Sequence, residues 1–372
     1  MDKRIITIIL AIIMLTGCSD QKILEEQGLV QAVSYDLAKK RPGSDLQPIH
    51  VGIAIPIMKG GSSSQKSLEA VARSSKEARS LLTSQTEWNL VSGQVRTALI
   101  GRDVAEQSIW RHLDTLEREP SVSQRVKLAL VKQNAYELMS SDFKTGSGTF
   151  SYLDKLLEKG VKNNVIPEVT LYKFARDYYE DGIDPVMPIL VKKNSSIDSD
   201  GIALFRGDRY ITSLKASQGI IFTILTDRIH AGQVNIEIPG SKKSQAEFAA
   251  MRIIKSKKTV NVVHTKSGEQ FTVHISIKLK GSVIEYLGKK DLSSEKDRRY
   301  LEAAMAKQIE KDMVQITEKT KKYSTDSLGI GRYVKNSMTY KEWKSMDWRK
   351  IYPKTNVVFH VQTMIKDYGK IK

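Results

Sequence analysis

The chain has 372 residues, 40% of them hydrophobic and 27% charged, a composition that excludes disordered, collagenous and membrane-embedded classes and allows two or three folded domains. Its lone cysteine excludes an internal disulfide framework, so stability has to come from packed cores. The net charge of +17 is spread along the whole chain with no finger spacing, RNP-type aromatic motif or helix-turn-helix, so the expected partner is an anionic lipid surface or an acidic protein and not a nucleic acid.

The chain opens with Lys3 and Arg4, an apolar run from Ile5 to Leu15, and then Leu15-Thr16-Gly17-Cys18. A basic start, a short apolar core and a small-residue cleavage site predict a secretory signal over residues 1–17. The run falls short of the roughly 20 residues that a spanning helix needs. The thiolate of Cys18 is placed to be alkylated by a diacylglyceryl group, after which cleavage leaves a lipid-bearing N-terminus. No cofactor beyond that covalent lipid is expected. A single acyl anchor binds only marginally, so a second membrane contact is expected, and the basic surface is the candidate.

Residues 18–143 read as an N-terminal α/β domain. An apolar pattern over 23–40 runs into Tyr35-Asp36-Leu37, and His50 to Met58 alternates as a strand. Gly60-Gly61-Ser62-Ser63-Ser64 predicts a loop. Ser67 to Leu82 follows as a helix, with Leu68, Val71, Ala72, Ala78 and Leu81 on one face. Val95–Gly101 and Val126–Val131 read as strands, Val104–Glu117 and Ala135–Met139 as helices. Such alternation implies an α/β layer structure.

The polar, glycine-containing stretch 141–148 separates a small middle α/β domain over 149–215. It holds helices at Phe150–Leu157 and Thr170–Tyr178, a turn at Asp181-Gly182-Ile183-Asp184-Pro185, and strands at Val186–Lys192 and Ile202–Phe205. Gly207-Asp208-Arg209-Tyr210 reads as a turn after them. So small a unit is expected to lean on its neighbours. The C-terminal domain, 216–372, reads as an antiparallel sheet packed on a long helix. Its strands are Ile220–Leu225, Val234–Ile238, Lys258–His264 and Phe271–Lys280, the last two joined by a turn at Lys266-Ser267-Gly268-Glu269, and a final strand at Val357–Ile365. The helix opens after Ser293-Ser294, with Asp297 as the partner of a Ser294 cap, and buries Leu301, Met305, Ile309 and Met313.

No catalytic constellation emerges. His50, His112, His230, His264, His274 and His360 lack zinc spacing, and no phosphate loop, nucleophile elbow or Ser-x-x-Lys occurs. Asp177, Glu180, Asp181 and Asp184 lack the ligand alternation of a calcium loop and read as a solvated turn. Trp343 and Trp348, set among lysines and Arg349, fit either a docking patch or rings covering the end of the sheet. The expected role is binding or assembly, not an enzyme.

Several segments carry a family resemblance. They are Leu15-Thr16-Gly17-Cys18-Ser19-Asp20 with Ile23-Leu24-Glu25, Ser67 to Val71 with Leu99-Ile100-Gly101 and Val104-Ala105, and Pro188-Ile189-Leu190 with Gly201 to Asp208. The strongest is Asp326-Ser327-Leu328-Gly329-Ile330-Gly331, then Trp343, Asp347-Trp348, Tyr352-Pro353 and Val357 to Val361. On these residues the chain resembles the lipoprotein C subunits of spore nutrient germinant receptors, the GerAC-like family. Ser19 departs from the tryptophan usual after the lipidated cysteine. The resemblance implies three mixed α/β domains and no catalysis. It also implies an outer-face location on the spore inner membrane, and A and B membrane subunits as partners. Gly329, Gly331, Trp343 and Trp348 are the candidate docking or structural segment. The competing expectation is a solute-binding lipoprotein of an uptake system, with a deep inter-domain cleft.

Overall fold

A computed structural model describes residues 26–40, 46–59, 62–143, 148–238, 246–264 and 270–368. The signal, Cys18, the Gly60-Gly61 pair and the 266–269 turn lie outside the described residues.

The first half of the chain builds β1 (Gln27–Leu29), β2 (Ala32–Leu37), β3 (Ile49–Lys59), β4 (Ser62–Ala72), α1 (Ser75–Thr83), β5 (Asn89–Val91), β6 (Thr97–Gly101), α2 (Arg102–Gln107), α3 (Trp110–Glu117), β7 (Lys127–Val131) and α4 (Ala135–Ser140). It continues with α5 (Thr149–Lys162), α6 (Leu171–Tyr179), β8 (Val186–Lys192), β9 (Ile197–Arg206) and β10 (Arg209–Lys215). Eight of these strands form one sheet in the order β10-β9-β8-β7-β6-β2-β3-β4, while β1 and β5 pair separately. β2, β6, β7 and β8 are parallel, and an antiparallel pair flanks them on each side. Leu99, Ala129 and Val131 pack beneath α4 and α5, and Ile100, Leu128 and Leu130 beneath α2 and α3. Burial on both faces explains the near-continuous apolar runs of the parallel strands. The middle unit leans on the first by contributing β8, β9 and β10 to this shared sheet.

Three local readings change here, the first being that Ser62 to Ser64, expected in a loop, open β4 and pair with β3. Ser67 to Ala72 is not helical but the end of β4, paired antiparallel with β3 so that Ala70 lies opposite Val51 and Ala72 opposite Ile49. Leu68, Val71 and Ala72 suit a helix by spacing. The available partner strand instead selects the period-2 face of Leu68, Ala70 and Ala72 and leaves Val71 exposed. The Val104–Glu117 helix is broken into α2 and α3 at Ser108-Ile109.

The second half contains α7 (Gly219–Thr226), β11 (Gln233–Ile238), β12 (Glu247–His264), β13 (Phe271–Leu287), α8 (Glu295–Lys322), α9 (Ile330–Asn336), α10 (Tyr340–Lys344), α11 (Trp348–Ile351) and β14 (Asn356–Asp367). Its sheet runs β11-β12-β13-β14. The expected antiparallel sheet is corrected to a mixed one, because β14 pairs parallel with β13, Phe359 lying opposite Ile275. After the chain leaves β13, α8 to α11 carry it back along the length of the sheet, so β14 starts at the same end as β13. α8 seals the inner face with Leu301, Met305, Ile309 and Met313, all fully buried. Ser294 holds the N-cap position but makes no side-chain cap bond, and Asp297 instead accepts from the Asp291 backbone N–H.

The strand expected at Ile220–Leu225 is α7. An apolar run of this length has no periodicity to separate helix from strand. It is buried on nearly every side, because it lies in a core that joins Ile202, Leu204 and Leu214 of the eight-stranded sheet to the inner face of the second sheet. The two halves therefore share one apolar core.

Candidate functional site

The sequence-singled residues Gly329, Gly331, Trp343 and Trp348 meet at the polar edge of that shared core. α9 is short, and its first N–H groups have no partner within the helix. Asp326 supplies one: its Oδ1 accepts from Ile330 N at 2.9 Å and its Oδ2 from Gly331 N at 2.7 Å. Trp348 Nε1 donates to the same Oδ2 at 2.9 Å. Gly329 turns the chain into the helix with φ +66°, a left-handed conformation that a side chain would strain.

The other side of the site is the turn 181–184. Asp184 N donates to Asp326 O at 3.0 Å, and Asp326 N donates back to Asp184 Oδ2 at 2.8 Å. Asp184 Oδ1 accepts from Gly207 N at 2.8 Å in the β9–β10 turn. Gly182 O accepts from Arg332 N at 3.0 Å. Here two backbones touch: a Cβ on Gly331 would lie 2.6 Å from Gly182 Cα and run into the Trp348 indole. Asp181 Oδ2 accepts from Trp343 Nε1 at 3.3 Å and from Lys344 Nζ at 2.9 Å. Trp343, Trp348 and Tyr352 form a tilted row with ring centroids 5.7 and 5.8 Å apart, and Tyr352 hydroxyl meets Thr320 Oγ1 at 2.6 Å.

The acidic turn is thus not simply solvated. Asp184 is buried and paired across the junction, whereas Asp181 stays near the surface. Burial pushes the Asp326 carboxyl up to about 7 against the pull of its three donors, with Asp184 adding to the rise. Burial raises Asp184 as well, against its bonds to Gly207 and Asp326. The arrangement is a clamp made of peptide groups and carboxylates. Among the described residues no group of three or more His, Cys, Asp or Glu could hold a metal ion.

Beside the clamp lies a cavity of about 180 Å³ whose wall includes Arg176, Asp177, Asp184, Ser327 and Arg332. Ser327 Oγ is buried there without a hydrogen-bond partner among the described residues. A second cavity of about 230 Å³ shares the Ile166 to Val169 wall with it. The histidines remain dispersed except for His274 and His360, which stack with Nδ1 and Nε2 3.3 Å apart on the outer face of the second sheet. Sequence reasoning missed Asp184 and Asp326 as partners, since they are 142 residues apart. An aspartate four residues ahead of a helix start was the one local signal that pointed to a cap.

Two family models divide the chain between β8 and β9, within the eight-stranded sheet. Residues 20–192 match the spore germination protein N-terminal domain and residues 200–369 the spore germination B3/GerAC-like C-terminal domain. The spore germination protein GerQC of Bacillus cereus is 26% identical over 353 residues, covering 94% of each chain. The crystal structure of the GerBC protein superposes with a TM-score of 0.58 at 14% identity, over 90% of this chain and 97% of that one. No described helix is long and apolar enough to cross a membrane.

Proposed function

From the premise that this chain belongs to the GerAC-like family of spore germination proteins, we propose that it is the lipid-anchored, non-enzymatic C subunit of a nutrient germinant receptor. It sits on the outer face of the spore inner membrane, tethered through Cys18, and assembles with the integral-membrane A and B subunits. The observation that carries this reading is the match of residues 20–192 and 200–369 to the two family domains, nearly end to end. The clamp fits the role. A subunit that relays a signal between partners needs its halves held as one body, and a polar network over an apolar core does so with defined geometry.

The test is a tagged pull-down from gently solubilised spore membranes, paired with Cys18→Ala. Recovery of a multi-spanning subunit and a transporter-like subunit, and release of the variant from membranes with weakened nutrient-triggered germination, are expected. Recovery of the lipoprotein alone, with the variant still membrane-bound, would sink the proposal. The junction cavity favours one second reading, a small polar solute held against Ser327 and Arg332. That reading requires calorimetric binding by the isolated protein that Arg332→Ala abolishes.

A further inference from the structure

We infer that the outward face of the second sheet is a lysine platform that docks on the anionic headgroup layer of a bilayer. The inner face of β12, β13 and β14 packs on α8 and α9; the outer face carries the alternate residues. Register places Lys255 opposite Lys280 and Lys257 opposite Lys278, with Met364 and Gln362 completing those rows on β14. The next rows are Thr259, Ser276 and His360, then Asn261, His274 and Val358. Lys366 closes the patch beside Lys280.

Side chains directly opposite on one sheet face have Cβ atoms about 4.5–5.5 Å apart, and like charges there destabilise the sheet. Two successive Lys–Lys pairs, with Lys366 added, are thus a burden on folding. Among the described residues, none of the salt bridges within 4.0 Å involves any of the five lysines. Of the acidic residues of these strands, Glu247 and Glu285 lie at the far end of the sheet, and Asp367, opposite Ser282, borders the patch in the row next to Lys280. Lys280 is held below the ordinary lysine range, chiefly because Lys366 lies against it, with Lys255 adding repulsion. An arrangement that the fold does not need and that charge opposes is explained by an anionic partner.

The shape selects a headgroup layer. The lysines stand in adjacent rows of one open sheet face, and the exposed Met364 and Val263 on the same face supply apolar tips for the headgroup boundary. The inference rests on the reading that this chain works at a membrane, and it locates the second contact that a single acyl anchor requires.

The test uses the chain from residue 18 onward with Cys18→Ala, so that no acyl chain is present, and phosphatidylcholine vesicles with or without phosphatidylglycerol. Binding should need the anionic lipid and weaken with salt. Lys255→Gln, Lys257→Gln, Lys278→Gln and Lys280→Gln together should reduce partitioning by about fivefold per lysine, several-hundredfold in all. Their melting temperature should hold or rise, since like-charge pairs are removed, which separates lost docking from lost folding. The control is Lys296→Gln, Lys307→Gln, Lys311→Gln and Lys322→Gln on α8. It makes the same change of charge on the opposite layer and should keep most of the binding. Equal loss in both variants, equal binding to neutral vesicles, or undiminished binding by the sheet variant would each overturn the platform. So would a sheet variant that keeps vesicle binding but loses an acidic protein partner. No receptor subunit is present in this assay, so its failure leaves the receptor reading standing, and a failed pull-down leaves the platform standing.

Discussion

Asp36 and Asp326 satisfy the same need in the two halves of the molecule with different reach. Each is a buried carboxylate that accepts from the first two N–H groups of a short helix. Asp36 takes Ala135 N at 2.8 Å and Tyr136 N at 2.9 Å at the start of α4, and Asp326 takes Ile330 and Gly331 at the start of α9. Asp36 stops there, and it ties α4 to the sheet of its own half. Asp326 also receives the Trp348 indole and exchanges backbone and side-chain bonds with Asp184 across the junction. The Asp36 carboxylate therefore fixes a helix, whereas at Asp326 the carboxylate fixes a helix and an indole while the backbone N–H and C=O of the same residue, bonded to Asp184, hold the interface. The difference shows how a local cap becomes a connection when its remaining groups face a second unit.

The largest effect should separate the two sites by what comes loose. Asp326→Ala leaves three buried donors unpaired, at about 1–3 kcal/mol each, so a loss of at least about 3 kcal/mol is expected in denaturant unfolding. Amide exchange should rise through α9, while Gly207, held by Asp184, keeps its protection. Asp36→Ala strands two donors, a loss of at least about 2 kcal/mol by the same rule, and should raise exchange only around α4. If both variants loosen the same amides, the distinction fails.

A smaller and cleaner break is Trp348→Phe. It removes the indole donor to Asp326 while keeping a ring between Trp343 and Tyr352. Measured well above pH 7, where the Asp326 carboxyl is ionised, equilibrium unfolding should show a loss of about 1.5–3 kcal/mol, the range for a hydrogen bond to a charged group. A loss well beyond that range would assign the residue's value to packing rather than to the carboxylate.

The pH dependence sharpens the contrast further. Asp326 has its carboxyl raised by burial from 3.8 to about 7, so between those values the folded chain holds a proton that the unfolded chain releases. Its contribution is full below 3.8 and is lost as pH rises towards 7. His112, buried in the first half and stacked on Tyr35, is lowered by burial from 6.5 to about 4, with Arg111 adding to the drop. There the unfolded chain takes the proton, so stability is lost as pH falls through that window. Melting temperatures against pH should flatten in opposite senses for Asp326→Asn and His112→Gln. Parallel curves for the two variants would contradict the assignment.

The smallest effect belongs to the surface end of the clamp. Lys344→Ala breaks the 2.9 Å pair with Asp181, in which both side chains are solvent-accessible. No measurable change in unfolding is expected, as for most exposed pairs. A clear loss would move the weight of the clamp from its buried carboxylates to its rim.

Parts of this architecture were legible because they are written locally. The four-residue spacing of Leu301, Met305, Ile309 and Met313 specifies α8 and its buried face, and the turn residues around Gly207 and the alternation in β14 specify strands. The grouping of Gly329, Gly331, Trp343 and Trp348 was readable only as a segment, without its partner. Three readings depended on information held elsewhere in the chain. Ser67 to Ala72 has spacing that suits helix or strand until β3 is present to pair with it. Gly219 to Leu225 is apolar all round, so its conformation follows from the space between two sheets. β14 alternates equally well in either direction, and the return path over α8 to α11 sets it parallel.

The sequence by itself determined which stretches are amphipathic, the start and buried face of the long helix α8, the single cysteine, and the family to which the chain belongs. Tertiary structure alone decided that Asp184 and Asp326 meet, that the lysines of β12 and β13 face one another, and that two halves share one core. Periodicity and capping act over a few residues and can be read along the chain. Cross-strand register and the bonds between Asp184 and the Asp326 backbone act between residues up to 142 positions apart, and their energies exist only once the backbone has closed.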